Sequence, residues 1–316
     1  MPEKIATRNA FGQALAELGA YYPEIVALDA DLSCSTMSGV FGKLYPERFF
    51  NCGIAEANMV GIAAGLATCG FRPFASSFAM FATGRVYEQI RNSVAYPGLN
   101  VTIVGSHGGP SVGEDGATHQ MDEDLALMRA LPGMTVVCPC DAFEMRRAVE
   151  ALVGHDGPAY LRMCRFPTEQ VTGQFPGYSF RLGKGVTLRE GGDLTVAATG
   201  IMVPASLRAA EKLEQEGVSV RVLDIHTVKP LDEALLIQAA AETGCIVTVE
   251  EHSIVGGLGS AVTELLSEKY PVPVLRVGVP DVFGRSGSAA DMLDYYGLTP
   301  EGIAEKLRQA LKLKKC

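Results

Sequence analysis

His107 and His119 stand twelve positions apart with Asp115 between them, in the stretch His107-Gly108-Gly109-Pro110-Ser111-Val112-Gly113-Glu114-Asp115-Gly116-Ala117-Thr118-His119-Gln120. Two imidazoles and a carboxylate at this spacing have two chemical uses. They can relay protons at a polar substrate, or they can ligate iron or zinc. Glu56, in Asn51-Cys52-Gly53-Ile54-Ala55-Glu56-Ala57-Asn58, is either an acid placed by the helix dipole or a proton-holding group. Phe78 and Phe81 are three apart on what reads as one helical face, so they are core or a platform for a flat ring. Arg8 and Arg162 are ordinary surface residues until something pairs them. Asp31, in Ala30-Asp31-Leu32-Ser33-Cys34-Ser35, ends a short apolar run.

These groups need elements to hold them. The glycine-rich stretch follows Val101–Gly105, which reads as a buried strand, and loops past the strand ends of an open parallel sheet are where ligands bind. Further strands are predicted at Ile25–Leu28, Phe71–Ala75, Met134–Cys138 and Ala159–Leu161. Helices are predicted at 7–18, 55–69, 78–93, 123–130 and 141–152. After a stretch rich in Gly and Pro the alternation restarts. Strands are predicted at Leu194–Thr199, Val218–Leu223, Cys245–Val249 and Val272–Val277, and helices at 203–216, 232–242, 258–269 and 300–313. The pattern predicts an α/β chain of two doubly wound, mostly parallel-sheet domains: residues 1–170, a linker at 171–185, and a smaller domain at 186–316.

With 47% apolar and 20% charged residues in 316, there is material for two cores. A net charge of -9 argues against a general nucleic-acid or anionic-membrane surface. No apolar run is long enough for a membrane span, and Met1-Pro2-Glu3-Lys4 lacks an apolar signal region, so a cytoplasmic address is expected. The eight cysteines are scattered. Cys138-Pro139-Cys140, the one close pair, reads as buried small hydrophobes rather than a zinc site, and no metal ligands are assigned to this chain.

Considered jointly, Ile5-Ala6-Thr7-Arg8, Ala30 to Ser35, Asn51 to Asn58, Phe78 to Phe81, His107 to Gln120 and Leu161-Arg162 resemble the transketolase family in type, order and spacing. Val249-Glu250-Glu251-His252 and Asp281-Val282-Phe283-Gly284-Arg285-Ser286-Gly287 resemble that family's final domain. The resemblance runs from about residue 5 to the C-terminus. It implies a thiamine-diphosphate pyrimidine-binding domain followed by the family's C-terminal domain. The chain has no Gly-Asp-Gly tripeptide, the family's mark for the domain that binds magnesium and the diphosphate. The resemblance therefore implies one subunit of a split transketolase. A partner chain would carry the missing domain and most of the Mg2+ site, in an expected α2β2 assembly acting on sugar phosphates.

By the same resemblance, Glu56 is the acid on pyrimidine N1′ and Phe78 and Phe81 pack on the ring. Asp31 lies close to the cofactor. His107, Asp115 and His119 surround the sugar hydroxyls, with both histidines available as proton relays. Arg8, Ser35 and Arg162 take the phosphate end. The pocket around Glu56 is expected to be apolar, favouring a neutral or proton-sharing carboxyl. Ala57 departs from the family's frequent histidine, and Gly84 stands where some members carry another aromatic. The rival readings are the β chain of a 2-oxo acid dehydrogenase, a ketose-phosphate synthase using pyruvate, and a non-catalytic regulatory subunit. The phosphate-gripping set argues against the first, the separate chain against the second, and intact Glu56, His107 and His119 against the third.

Overall fold

The structure, a computed structural model, describes residues 4–314. In the first half the strands are β1 (Lys4–Ile5), β2 (Ile25–Asp29), β3 (Phe49–Asn51), β4 (Arg72–Phe78), β5 (Thr102–Ser106), β6 (Thr135–Val137), β7 (Ala159–Arg162) and β8 (Thr168–Glu169). The helices between them are α1 (Thr7–Leu18), α2 (Ser33–Thr36), α3 (Gly39–Leu44), α4 (Glu56–Thr68), α5 (Tyr87–Gln89), α6 (Asp124–Ala130) and α7 (Ala142–Val153). The second half adds β9 (Val186–Arg189), β10 (Leu194–Ala198), β11 (Val220–Asp224), β12 (Thr227–Lys229), β13 (Ile246–Ser253) and β14 (Val274–Val279). Its helices are α8 (Met202–Glu214), α9 (Glu233–Thr243), α10 (Leu258–Lys269), α11 (Ala289–Tyr295) and α12 (Pro300–Lys314).

The first sheet has the order β12-β6-β7-β5-β4-β2-β3 and the second β14-β13-β10-β11-β9. Both are parallel except for the edge strands β12 and β9. Helices cover both faces of the first sheet, so β2, β5 and β7 are buried at every position. Phe11, Leu15, Met145 and Leu152 fill one face from α1 and α7; Met59, Val60, Ile90 and Leu125 fill the other. After β2 the chain turns to β3 at the edge and returns to β4 on the opposite side of β2. That reversal opens a crevice beyond the C-terminal ends of β2 and β4, the usual ligand position in such sheets.

One local expectation needs correction. The segment 78–93 is not one regular helix: Phe78 closes β4, Met80–Gly84 and Ile90–Ala95 are π-helical, and α5 lies between them. The 171–185 segment is held against the first half of the chain. The Asp141 carboxylate accepts hydrogen bonds from the Val171 and Thr172 amides, and Phe143 packs edge-on against Tyr178. The two halves also interpenetrate, because β12 belongs to the second half yet pairs with β6, and one core cluster joins Leu28 and Ile103 to Leu223, Leu236 and Leu258. Among the described residues no helix is long and apolar enough to cross a membrane.

Candidate active site

Arg8, Glu56, Phe78, Phe81, His107 and His119 lie in one line of contacts along that crevice, and Arg162 does not join them. Asp31 follows β2, Phe78 ends β4, His107 follows β5, Glu56 opens α4 and Arg8 lies in the first turn of α1. Asp29 is the buried organiser of the loop after β2. Its carboxylate accepts bonds from the Leu32 amide at 2.6 Å, Thr36 Oγ1 at 2.7 Å and Ser38 Oγ at 2.8 Å. Burial raises its pKa, and the hydroxyl and amide bonds oppose that. Asp31 has a left-handed backbone (φ 66°), with its amide donating to Asn51 Oδ1 at 3.1 Å. His107 is likewise left-handed, at φ 59°. Such conformations cost non-glycine residues on the order of 1 kcal/mol or more and cluster at functional sites.

The residues form a continuous row. Arg8 Nη1 faces His107 Nε2 at 3.4 Å and donates to the Ser35 carbonyl at 2.9 Å. The His107 ring stacks on Phe78 with centroids 3.9 Å apart, and Phe78 lies parallel to Phe81 at 6.1 Å. His119 meets Phe81 edge-on at 5.4 Å. At the far end Glu56, 3% exposed, accepts a 2.8 Å ion-pair bond from Arg85, whose guanidinium lies 4.4 Å from the Phe81 ring centre. The stacked phenylalanines come from a strand end and the turn after it, not from one helical face. Nor is the surrounding of Glu56 purely apolar, since Arg85 reaches over it.

Burial, then the charges of Arg8 and Arg165, hold the His107 pKa down at about 3, so the ring is neutral at working pH. A guanidinium only donates, so Nε2 must accept and Nδ1 carries the proton, donating to Ser106 Oγ at 2.7 Å. In this tautomer the ring can take up a proton only at the Arg8-facing nitrogen.

Arg162 is the exception. It is 4% exposed, and its donors are engaged: Nε to Asp124 at 2.7 Å and Nη2 to the Glu251 carbonyl at 2.8 Å, with Nη1 3.8 Å from the Glu251 carboxylate. Buried at the end of β7 with its fork occupied, it cannot offer that fork to a ligand, so its assignment to the phosphate end is corrected. The cation facing the crevice is Arg165, three residues past the strand, half exposed, with Nη1 3.6 Å from Glu114 and 3.9 Å from Asp115. Its charge is felt by both Arg8 and His107. The single Arg-x-x-Arg spacing at 162–165 was the available signal. Asp115 is on the exposed side of the loop, facing Arg165. Ser35 contributes its carbonyl to the row.

The glycine-rich loop is a packed wedge between the domains, and Pro110–Asp115 forms 3-10 turns. The Ser111 amide donates to Glu251 Oε1 at 2.8 Å, and Gln120 Nε2 donates to the Arg285 carbonyl at 2.8 Å. Two glycines are required by close approach. A Cβ at Gly108 would lie 2.5 Å from Arg162 Nε, and one at Gly109 (φ 79°) would lie 2.5 Å from the Glu251 carboxyl carbon. His107, Asp115 and His119 are not gathered into a metal-binding trio. Among the described residues that geometry occurs only at Cys140, Glu144 and Asp224, all buried. Cys138 is buried as expected, and burial pushes its thiol up to about 12.

Fold and site together define a two-domain α/β chain whose crevice combines a buried acid, an aromatic pair and a cationic end. Residues 3–168 match the family described as transketolase, pyrimidine binding domain, and residues 183–303 match transketolase, C-terminal domain. The 6-deoxy-6-sulfo-D-fructose transketolase subunit SqwH of Clostridium sp. (strain MSTE9) is 44% identical over 307 residues, 97% of this chain and 95% of its own. An apulose-4-phosphate transketolase subunit of Phocaeicola vulgatus is 42% identical over 308 residues, 98% of both. A solved structure titled split gene transketolase, inactive beta4 tetramer, superposes with a TM-score of 0.91 at 51% identity, covering 98% of this chain and 99% of that one. The chain belongs to the transketolase family.

Proposed function

We propose that this chain is the pyrimidine-binding and C-terminal subunit of a two-chain transketolase. It would move a two-carbon ketol unit between sugar phosphates with thiamine diphosphate. The observation that carries the reading is the row itself: a buried carboxylate beside stacked phenyl rings at one end, and paired guanidinium groups beside a neutral imidazole at the other. These residues fit an aminopyrimidine, because Phe81 offers a flat face and Glu56 an acid at its margin. When bound, the coenzyme supplies a carbanion able to attack a ketose carbonyl.

Glu56 would hold a proton at pyrimidine N1′, while Phe78 and Phe81 exclude water and orient the ring. Arg8 and Arg165 would hold the phosphate, and the Ser35 hydroxyl would add a directional bond to it. His107, locked as its Nδ1–H tautomer, would exchange a proton with a substrate oxygen at Nε2; His119 would serve as the second relay. Asp115 would accept a bond from a sugar hydroxyl. Asp31 would border the cofactor.

The diphosphate and Mg2+ would be bound mainly by a partner chain, in an assembly of two copies of each, at an address we take to be cytoplasmic. Relatives of the same length named as transketolase subunits, and one titled an inactive β4 tetramer, support dependence on a second chain. The domain limits we propose are 1–170 and 186–316, with 171–185 as the connection. The test is to purify the chain alone and with a partner carrying a Gly-Asp-Gly diphosphate motif. Consumption of a ketose phosphate should require both chains and thiamine diphosphate; turnover by this chain alone would overturn the proposal. Turnover of a 2-oxo acid, and not of a ketose phosphate, would assign the pair to the dehydrogenase class.

A further inference from the structure

We propose that Arg85 is a removable occupant of the pyrimidine seat, and that its departure is a step in coenzyme binding. The inference rests on the reading of the site given above. Arg85 makes two contacts: its Nη1 donates to Glu56 Oε1 at 2.8 Å, and its guanidinium carbon sits 4.4 Å from the centre of the Phe81 ring. Those are the two partners, an acid and an aromatic face, that the reading assigns to the aminopyrimidine. A guanidinium is flat, delocalised and rimmed with nitrogen donors, so it matches the same pair of partners.

Glu56 is 3% exposed and makes no other hydrogen bond among the described residues. One carboxylate oxygen cannot hold the guanidinium in this position while an aromatic ring occupies the same face of Phe81. Arg85 can leave easily. Its side chain is 50% exposed, it follows the π-helical turn Met80–Gly84, and Gly84 beside it has no side chain to confine it. While seated, it gives a buried acid a counter-charge and covers an aromatic face that water would otherwise wet. Coenzyme binding must break a half-exposed ion pair and a cation–π contact, and each opposes affinity modestly.

The test is calorimetric titration of thiamine diphosphate, with Mg2+, into the reconstituted two-chain complex. Arg85→Ala should lower Kd about three- to tenfold and speed association, since both lost contacts are of the weak exposed kind. Arg85→Gln, which keeps length without charge, should move Kd in the same direction and guards against an effect of truncation. Glu56→Gln should weaken binding, and Arg85→Ala added to it should change Kd less than in the wild type. Unchanged or weaker binding by Arg85→Ala and Arg85→Gln, with Glu56→Gln still impaired, overturns this inference and leaves the site reading standing. A wild-type complex that binds no thiamine diphosphate, or a Glu56→Gln complex of wild-type affinity, overturns both.

Discussion

Arg162 and Arg165 differ by three positions and should respond to mutation in opposite ways. Replacing Arg162 with Met keeps an unbranched side chain and removes the charge. Asp124 then retains the Tyr160 hydroxyl at 2.6 Å, and Glu251 retains the Ser111 amide at 2.8 Å, but neither has a cation. Breaking one side of a buried pair costs about 3–5 kcal/mol. An unfolding entropy of about 2.1 cal/mol/K per residue over 316 residues makes each kcal/mol worth about 1.5 °C, so Arg162→Met should melt about 5–8 °C lower. The deficit has a pH signature. Burial raises Glu251 and Asp122 to about 7, and Arg162 partly offsets that. Below that pH the carboxyls carry protons and gain little from the cation, so the deficit should widen as pH rises through about 7. Arg165→Ala should melt within about 1 °C of wild type, because a half-exposed side chain is lost without leaving a buried charge. Its KM for a ketose phosphate should rise about 10- to 100-fold through loss of charge-assisted bonds. Differential scanning calorimetry of the chain and steady-state kinetics of the complex read the two effects. An Arg162→Met chain that melts like wild type while its KM rises would refute the reasoning.

In the assembled pair, Glu56→Gln should lower kcat by at least about 100-fold, the scale of a lost acid–base group, with folding unchanged by circular dichroism. The His107 ring resonances should not titrate between pH 5 and 8 in NMR spectra of the labelled chain, because its folded pKa is about 3. That same depression means the folded state disfavours a charged ring, so its contribution to stability is lost as pH falls below about 6.5. Glu251 has the opposite sign. Its folded pKa of about 7 exceeds the ordinary value near 4.5, so the folded chain keeps a proton that the unfolded chain releases. Stability should fall from about pH 4.5 to 7 on this account, and Glu251→Gln should flatten that slope in urea melts taken at several pH values.

Motif and periodicity reach most of the crevice without any tertiary information, because strand ends and the loops after them carry chemistry in sequence-local words. The Gly-rich stretch after β5, the acid opening α4 and the aromatic pair at the end of β4 are each contained in about a dozen residues. The alternation of β10, α8, β11 and α9 is legible for the same reason, since hydrophobic period depends on near neighbours alone.

Tertiary structure decided what depends on distant pairing. Whether Arg162 or Arg165 faces the crevice turns on Asp124 and Glu251, 38 and 89 positions away, closing around the first of them. The partner of Glu56 is Arg85, 29 positions on, brought over it by a π-helical turn that no periodicity signals. The neutrality of His107 likewise depends first on its burial and then on two arginines delivered by different elements. Side-chain type and spacing therefore establish which chemistry this protein has available. Burial and long-range charge pairing determine which copies of each residue remain free to perform it.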